Sequence, residues 1–135
     1  MDREQMLKDR TNTLAHSLGM EFVEISKGKV VMTMPVDERT RQPHGFLHGG
    51  ASVALAETAA SVGTAYLIDE EKEICFGLEI NANHIKAKRE GTVTAVATIA
   101  HQGRTTMVWE IHIRDEEGAL ICLSRCTVAV MPKKK

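Results

Sequence analysis

Through the second half of the chain apolar and polar residues alternate, and this period of two falls into four runs. Residues 75–87 (CFGLEINANHIKA), 92–101 (TVTAVATIAH), 105–114 (TTMVWEIHIR) and 119–131 (ALICLSRCTVAVM) are separated by turn signals at Glu90-Gly91, Gly103 and Glu116-Glu117-Gly118. Thr92 and Thr94 alternate with Val93 and Ala95, and Glu110 and His112 with Ile111 and Ile113, so one face of each strand is covered and the other wetter. Two shorter strands precede them, at 20–25 and 29–35, joined by Lys27 and Gly28. Between residues 51 and 66 the pattern changes. This stretch is mostly Ala, Ser, Val, Leu and Thr with no Pro, which predicts one buried helix. Upstream, residues 2–18 mix charge with Met6, Leu7, Leu14 and Leu18, predicting a short amphipathic helix ended by Gly19 and packed on the outside. Residues 36–43 read as a polar loop. The acidic segment 69–73 reads as a solvated turn, because carboxylates at a helix C-terminus oppose its dipole. The basic tail at 132–135 is expected to be disordered. Together the pattern predicts a single α+β domain over residues 1–135, an antiparallel sheet wrapped around one long helix.

Glu57 is the only charge on that helix. A carboxylate among small apolar residues is costly unless paired, hydrogen-bonded or protonated, so it is the first candidate for chemistry. At the start of the helix, Gly49 and Gly50 leave the first backbone N–H groups uncovered by side chains, and the positive end of the dipole makes a site for a developing oxyanion. The two features cannot meet within one chain, since eight residues at ~1.5 Å rise each separate them by roughly 12 Å. A carboxylate serving a carbonyl held at Gly49 must approach to about 3–3.5 Å. If both act together they come from two subunits, with antiparallel helices about a two-fold axis.

Composition narrows the remaining choices. The 135 residues carry 17 basic and 18 acidic side chains, a net charge of −1, which gives no expectation of nucleic acid binding. Cys75, Cys122 and Cys126 are odd in number and set among strand-like residues, so they are expected to be reduced core thiols of a cytoplasmic protein. The charged N-terminus and the absence of a long apolar run point away from secretion and from a membrane. His44, His48 and His84 match no zinc spacing, so no metal is expected. Ser52, Ser61 and Ser124 lack the GxSxG context of a nucleophilic serine. No cofactor motif is present. Phe46, Leu47, Val62, Met107 and Trp109 are candidate walls of an apolar acyl slot.

MPVDERTRQPHGFLHGGASVALAETAASVG, followed later by GLEINANH, resembles the hotdog-fold acyl-CoA thioesterases, in the branch of phenylacetate-pathway and menaquinone-pathway aroyl-CoA hydrolases that includes dihydroxynaphthoyl-CoA hydrolysis. The resemblance runs from about Gly19 to Met131. It implies a homodimer joined edge to edge through its sheets, often paired into a tetramer, with active sites at the interface. It also implies Glu57 as nucleophile or general base, the Gly49 N–H as oxyanion donor, and Gln42 and His48 as positioning groups. Ser61, one helical turn beyond Glu57, could hold the attacking water or the carboxylate. His84, Lys86, Lys88 and Arg104 fall where the family places coenzyme A contacts. Two other functions stay open at this level. One is a hotdog dehydratase or hydratase using His48 with Glu57, although the spacing fits the hydrolase branch better. The other is a non-catalytic acyl-CoA-binding protein.

Overall fold

The computed structural model describes residues 11–134. A one-turn helix α1 (Leu14–Ser17) leads into β1 (Glu21–Ser26) and β2 (Lys29–Val36). The long helix α2 (Gly49–Leu67) follows, and then β3 (Glu73–His84), β4 (Gly91–Gln102), β5 (Thr106–Arg114) and β6 (Leu120–Pro132). All six strands pair antiparallel in one sheet of order β1-β2-β4-β5-β6-β3. The sheet curls around α2, which touches every strand. This is the α+β hotdog arrangement.

Chain order and sheet order part company at β3. The Glu90-Gly91 turn does not close a hairpin, because β3 pairs with β6 at one edge while β4 lies between β2 and β5. Residues 85–90 therefore cross the sheet end, held by Ile85 and Lys86 N–H to the Ile121 carbonyl and by Leu47 N–H to the Lys88 carbonyl at 2.7 Å. The crossing leaves β3 as an edge strand, and Ile74, Phe76 and Leu78 along it are exposed, Leu78 by 65%.

The short amphipathic helix expected over 2–18 is a single turn within the described residues. Residues 2–10 lie outside the described residues, and from 11 to 18 only Leu14–Ser17 is helical. Asn12 turns the chain at φ 65°, and Thr13, extended, caps the short helix through its side-chain oxygen, which accepts the His16 N–H at 3.3 Å. At the other end, Pro132 still pairs with Glu73, and the Lys133 N–H donates to the Lys72 carbonyl at 2.8 Å, so the expected disorder of the tail does not begin at 132.

The core is the layer between α2 and the concave face of the sheet. Leu55, Ala56, Ala59 and Ala60 of the helix are fully buried against Met32, Met34, Val93, Ala95, Trp109, Ile111 and Ile113. Small residues on the helix are what allow a curved sheet to approach it. Gly63 is the tightest point: a Cβ there would lie 2.7 Å from Trp109 Cζ2, inside any tolerable contact. The Trp109 indole N–H donates to Thr64 Oγ1 at 2.9 Å, and the Thr64 hydroxyl donates to the Ala60 carbonyl at 3.0 Å, so the one polar edge of the ring is satisfied in the core. Trp109 and Met107 are thus core residues, and the expectation that they line an acyl slot is corrected: both sit on the inward face of β5, filled by α2 itself. Gly63→Ala should therefore overpack the Trp109 contact and cost about 1–3 kcal/mol, measured as a lower urea midpoint with an unchanged m-value.

Candidate active site

Two separate constellations surround the two ends of the Gly49–Glu57 segment. At the first, His48 is the N-cap of α2, with an extended backbone and its ring folded over Gly50. Its Nδ1 accepts the Gly50 N–H at 2.8 Å, while its carbonyl accepts the Ala51 and Ser52 N–H groups. The cap thereby satisfies the second, third and fourth donors of the helix terminus. The Gly49 N–H is left with no hydrogen-bond partner among the described residues. Gly49 lines a cavity of about 390 Å³ together with Gln42, Phe46, Leu47, Ser52, His84 and Lys86. Gln42 is held there by its backbone, which closes a turn with Phe46 and Gly45, and its side-chain Oε1 accepts the His44 N–H. Its NH2 is then the donor left for a ligand.

His84 belongs to this end as well. A Cβ on Gly49 would lie 2.8 Å from His84 Nε2, so the imidazole covers the first residue of the helix. The sequence reading groups His84 with Lys86, Lys88 and Arg104; the structure brings His84 and Lys86 to the Gly49 cavity and separates the other two. Lys88 Nζ is 2.6 Å from Glu116 Oε1, and Glu116 also accepts the Thr92 N–H at 3.0 Å. These contacts clasp the 85–90 crossing onto the β5–β6 hairpin, and Lys88 is committed to them. Arg104 sits exposed in the β4–β5 hairpin, at the far end of β4 from residue 91. The twelve residues of β4 span roughly 35 Å at ~3.3 Å each, so Arg104 and Lys86 of one chain cannot meet on one phosphate group.

The second constellation is a groove of about 480 Å³ along the outer face of α2, lined by Leu14, Gly50, Val53, Ala54, Glu57, Thr58, Ser61 and Val62. Glu57 and Ser61 share it, as their one-turn spacing predicts. The Glu57 side chain lies against Gly77 of β3: a Cβ on that glycine would be 2.9 Å from Glu57 Cδ. Cys126, fully buried on neighbouring β6, is within reach of the Glu57 charge. Burial first, and then the charges of Glu57 and Glu79, push its thiol up to about 12, so Cys126 is a neutral group and not a nucleophile. Cys75, also pushed up by burial, points at α2 with Sγ 3.6 Å from the Ser61 carbonyl.

Gly77 was not among the residues singled out from sequence, and Cys126 was expected only as a reduced core thiol, which its burial bears out. A glycine inside an apolar strand (CFGLEI) is the signal that could have found the first, since it marks a bulge or a close approach. Nothing in the sequence places Cys126 within reach of Glu57. Among the described residues no group of three or more His, Cys, Asp or Glu side chains is arranged to hold a metal ion, and no helix is long and apolar enough to cross a membrane.

An uncovered helix-terminal N–H and a carboxylate on the same small-residue helix, inside a sheet of this topology, define a class. The model of the thioesterase superfamily matches residues 44–122. Two 1,4-dihydroxy-2-naphthoyl-CoA hydrolases are similar to the chain: that of Listeria monocytogenes is 53% identical over 122 residues, covering 90% of this chain and 98% of its own, and that of Escherichia coli is 49% identical over 114 residues, covering 84% and 83%. The crystal structure of a thioesterase variant from Pseudomonas aeruginosa superposes with a TM-score of 0.92 at 43% identity, over 98% of this chain and 96% of that one. The chain belongs to the thioesterase superfamily. It is a hydrolase of thioesters built on the hotdog fold.

The Lys88–Glu116 clasp makes a prediction of its own. Glu116 is held at about 2, below its ordinary 4.5, mainly by the Lys88 hydrogen bond and then by backbone N–H groups. A depressed carboxylate stabilises the fold above its unfolded-state value, and the contribution is lost as pH falls through the folded one. Lys88→Ala should therefore melt below wild type at pH 7, and the difference should narrow as pH drops from about 4.5 toward 2, followed by circular dichroism.

Proposed function

We propose that the protein hydrolyses an acyl-CoA thioester, with an aroyl-CoA such as 1,4-dihydroxy-2-naphthoyl-CoA as the first substrate to test, at composite sites between two subunits. One observation carries this reading. The free Gly49 N–H and Glu57 lie on one unbroken helix, eight residues apart, which fixes them roughly 12 Å from each other, too far to serve one carbonyl. The uncovered edge of β3 supplies the route by which a second chain could bring the missing half. Among the described residues its backbone groups have no strand partner on one side, and Ile74, Phe76 and Leu78 are exposed beside them. Antiparallel pairing of two such edges about a two-fold axis reverses one helix against the other, so that Glu57 of one chain approaches Gly49 of its partner. Two dimers can then associate into a tetramer.

In that site the thioester carbonyl oxygen accepts the Gly49 N–H, with the Gln42 NH2 beside it. Glu57 either takes a proton from water as that water attacks, or attacks the carbonyl itself to form an anhydride that water then opens. In both cases negative charge gathers on the carbonyl oxygen, where the amide and the helix dipole are already aimed. Collapse breaks the C–S bond, and the coenzyme A thiolate leaves and is protonated. Ser61, on the Glu57 face, holds the water or the carboxylate. His48 acts by shaping the helix terminus, since its Nδ1 is engaged with Gly50 N–H; this disfavours a dehydratase in which the ring exchanges protons with substrate through that nitrogen. The groove of Leu14, Val53, Ala54 and Val62, together with Phe46 and Leu47 across the interface, gives an apolar slot for an aryl or short branched acyl group.

The same reversal reorganises the coenzyme A contacts. Arg104 stands at the Glu57 end of its own chain, since the Val130 N–H donates to the Thr105 carbonyl and β3 pairs with this part of β6, whereas His84 and Lys86 stand at the Gly49 end. Across the dimer they converge, so the phosphates are shared by Arg104 of one chain and Lys86 of the other, with Lys88 supporting the segment through its clasp.

Glu57→Ala should lower kcat by at least ~10²-fold with the fold intact, while Ser61→Ala should cost about tenfold or less. Mixed after dissociation with Gly49→Pro, which removes the N–H at the first helical position and displaces the His84 ring that a Cβ there would meet at 2.8 Å, Glu57→Ala subunits should recover about a quarter of wild-type activity, because half the dimers carry one intact site. Activity near wild type in Glu57→Ala alone, or no recovery in the mixture, would count against the composite site. A Lys86→Ala, Arg104→Ala double variant should raise KM for the coenzyme A ester more than it lowers kcat, because the phosphates are bound equally in ground and transition states. An unchanged KM would place the nucleotide elsewhere.

A further inference from the structure

The Glu57 carboxylate makes no hydrogen bond or ion pair among the described residues, yet its place in the fold is well defined, and what defines it is the backbone of β3. The three heavy atoms nearest to a Cβ built on Gly77 all belong to Glu57: Oε2 nearest, Cδ at 2.9 Å and Cγ at 3.3 Å. Real Cβ atoms essentially never approach a neighbour below 3.0 Å. The volume that any L side chain at position 77 would claim is thus the volume in which the carboxylate rests. Gly77 is not needed for the backbone: its φ lies outside the left-handed region, where Gly45, Gly91 and Gly118 are found. A glycine inside a strand weakens it unless something must come close, and here the thing that comes close is Glu57.

The next residues extend the argument. β3 carries a bulge between Gly77 and Glu79, where its register against β6 shifts by one and Leu78 becomes the extra residue. Before the bulge Cys75 and Gly77 face α2; beyond it His84 faces α2, against Gly49. On a regular strand residues 77 and 84, an odd number apart, would point to opposite faces. The bulge is what lets one strand floor Glu57 at one point and bring His84 beside Gly49 at another. It also removes Glu79 from the inward series, where a second carboxylate would stand beside the first.

We propose that Gly77, with the bulge that follows it, is a positioning residue for Glu57: the missing side chain is the seat in which the carboxylate is held at the edge of β3, facing the adjoining subunit. This rests on the assignment of Glu57 above, and the test separates the two. A thermal-melting cycle of wild type, Gly77→Ala, Glu57→Ala and the double variant reads the seat without reference to activity. Gly77→Ala should raise Tm less, or lower it, in the wild-type background, where Glu57 must swing out of the seat, than where Glu57→Ala has emptied it. An equal shift in both backgrounds would overturn the proposal. The kinetic arm uses dihydroxynaphthoyl-CoA. Gly77→Ala should lower kcat at least tenfold with KM within about twofold, and the loss should shrink severalfold in the Glu57→Asp background, whose shorter side chain fits beside an alanine. A Gly77→Ala enzyme with wild-type kcat, or an equal loss in both backgrounds, would sink the positioning role while Glu57→Ala remains inactive. Full activity of Glu57→Ala would instead overturn the assignment of Glu57 itself, whatever the melting cycle shows.

Discussion

The structure depends on how closely a strand can pass a helix. Wrapping six strands around one helix requires that the helix be thin on nearly every side, and α2 meets this with Ala51, Ala56, Ala59, Ala60 and Gly63 on its buried surface. The Gly63–Trp109 contact is the limit of that approach. A larger residue would push the sheet outward, open the core beside Trp109 and break its bond to Thr64. The same closeness brings β3 onto Glu57. Core packing and the position of the carboxylate are therefore two results of one constraint, a sheet curved tightly enough to touch its helix along the whole length.

The chemistry is divided in a way that follows from this architecture. A single helix offers one N-terminus, and the dipole that favours an oxyanion there acts only within the first turn. A carboxylate placed in the same turn would compete with the substrate for the N–H groups. Two helical turns further on, Glu57 is clear of them and held against a glycine of β3. In the proposed composite site, two functions kept on one rigid element but out of each other's reach are completed by a second copy, for which the exposed β3 edge offers a place to attach. The 85–90 crossing leaves β3 at the sheet edge and also carries Lys86 and the Lys88 clasp, so under the proposed function one segment serves both assembly and substrate binding.

The sequence by itself determined the main elements and the class of reaction, and it named the candidates for the site. Period-two alternation marked all four long strands to within a few residues, the small-residue run marked α2, and the isolated charge marked Glu57. These are local properties: strand and helix periods are set by backbone geometry, and an unpaired carboxylate in an apolar run is conspicuous wherever it ends up. Even the separation of Glu57 from Gly49 needed only the helix rise. Tertiary structure decided what lies between elements. Sheet order made the turn at Glu90-Gly91 a crossing and left β3 at the edge; it set Arg104 and Lys86 at opposite ends of the sheet; it buried Trp109 and Met107 in the core; and it turned His84 onto Gly49 through a bulge that no alternation pattern reveals. The physical reason is that a one-residue slip in register costs nothing in local propensity yet turns every later side chain to the other face, so only the partner strand and the helix beneath it settle which residues meet.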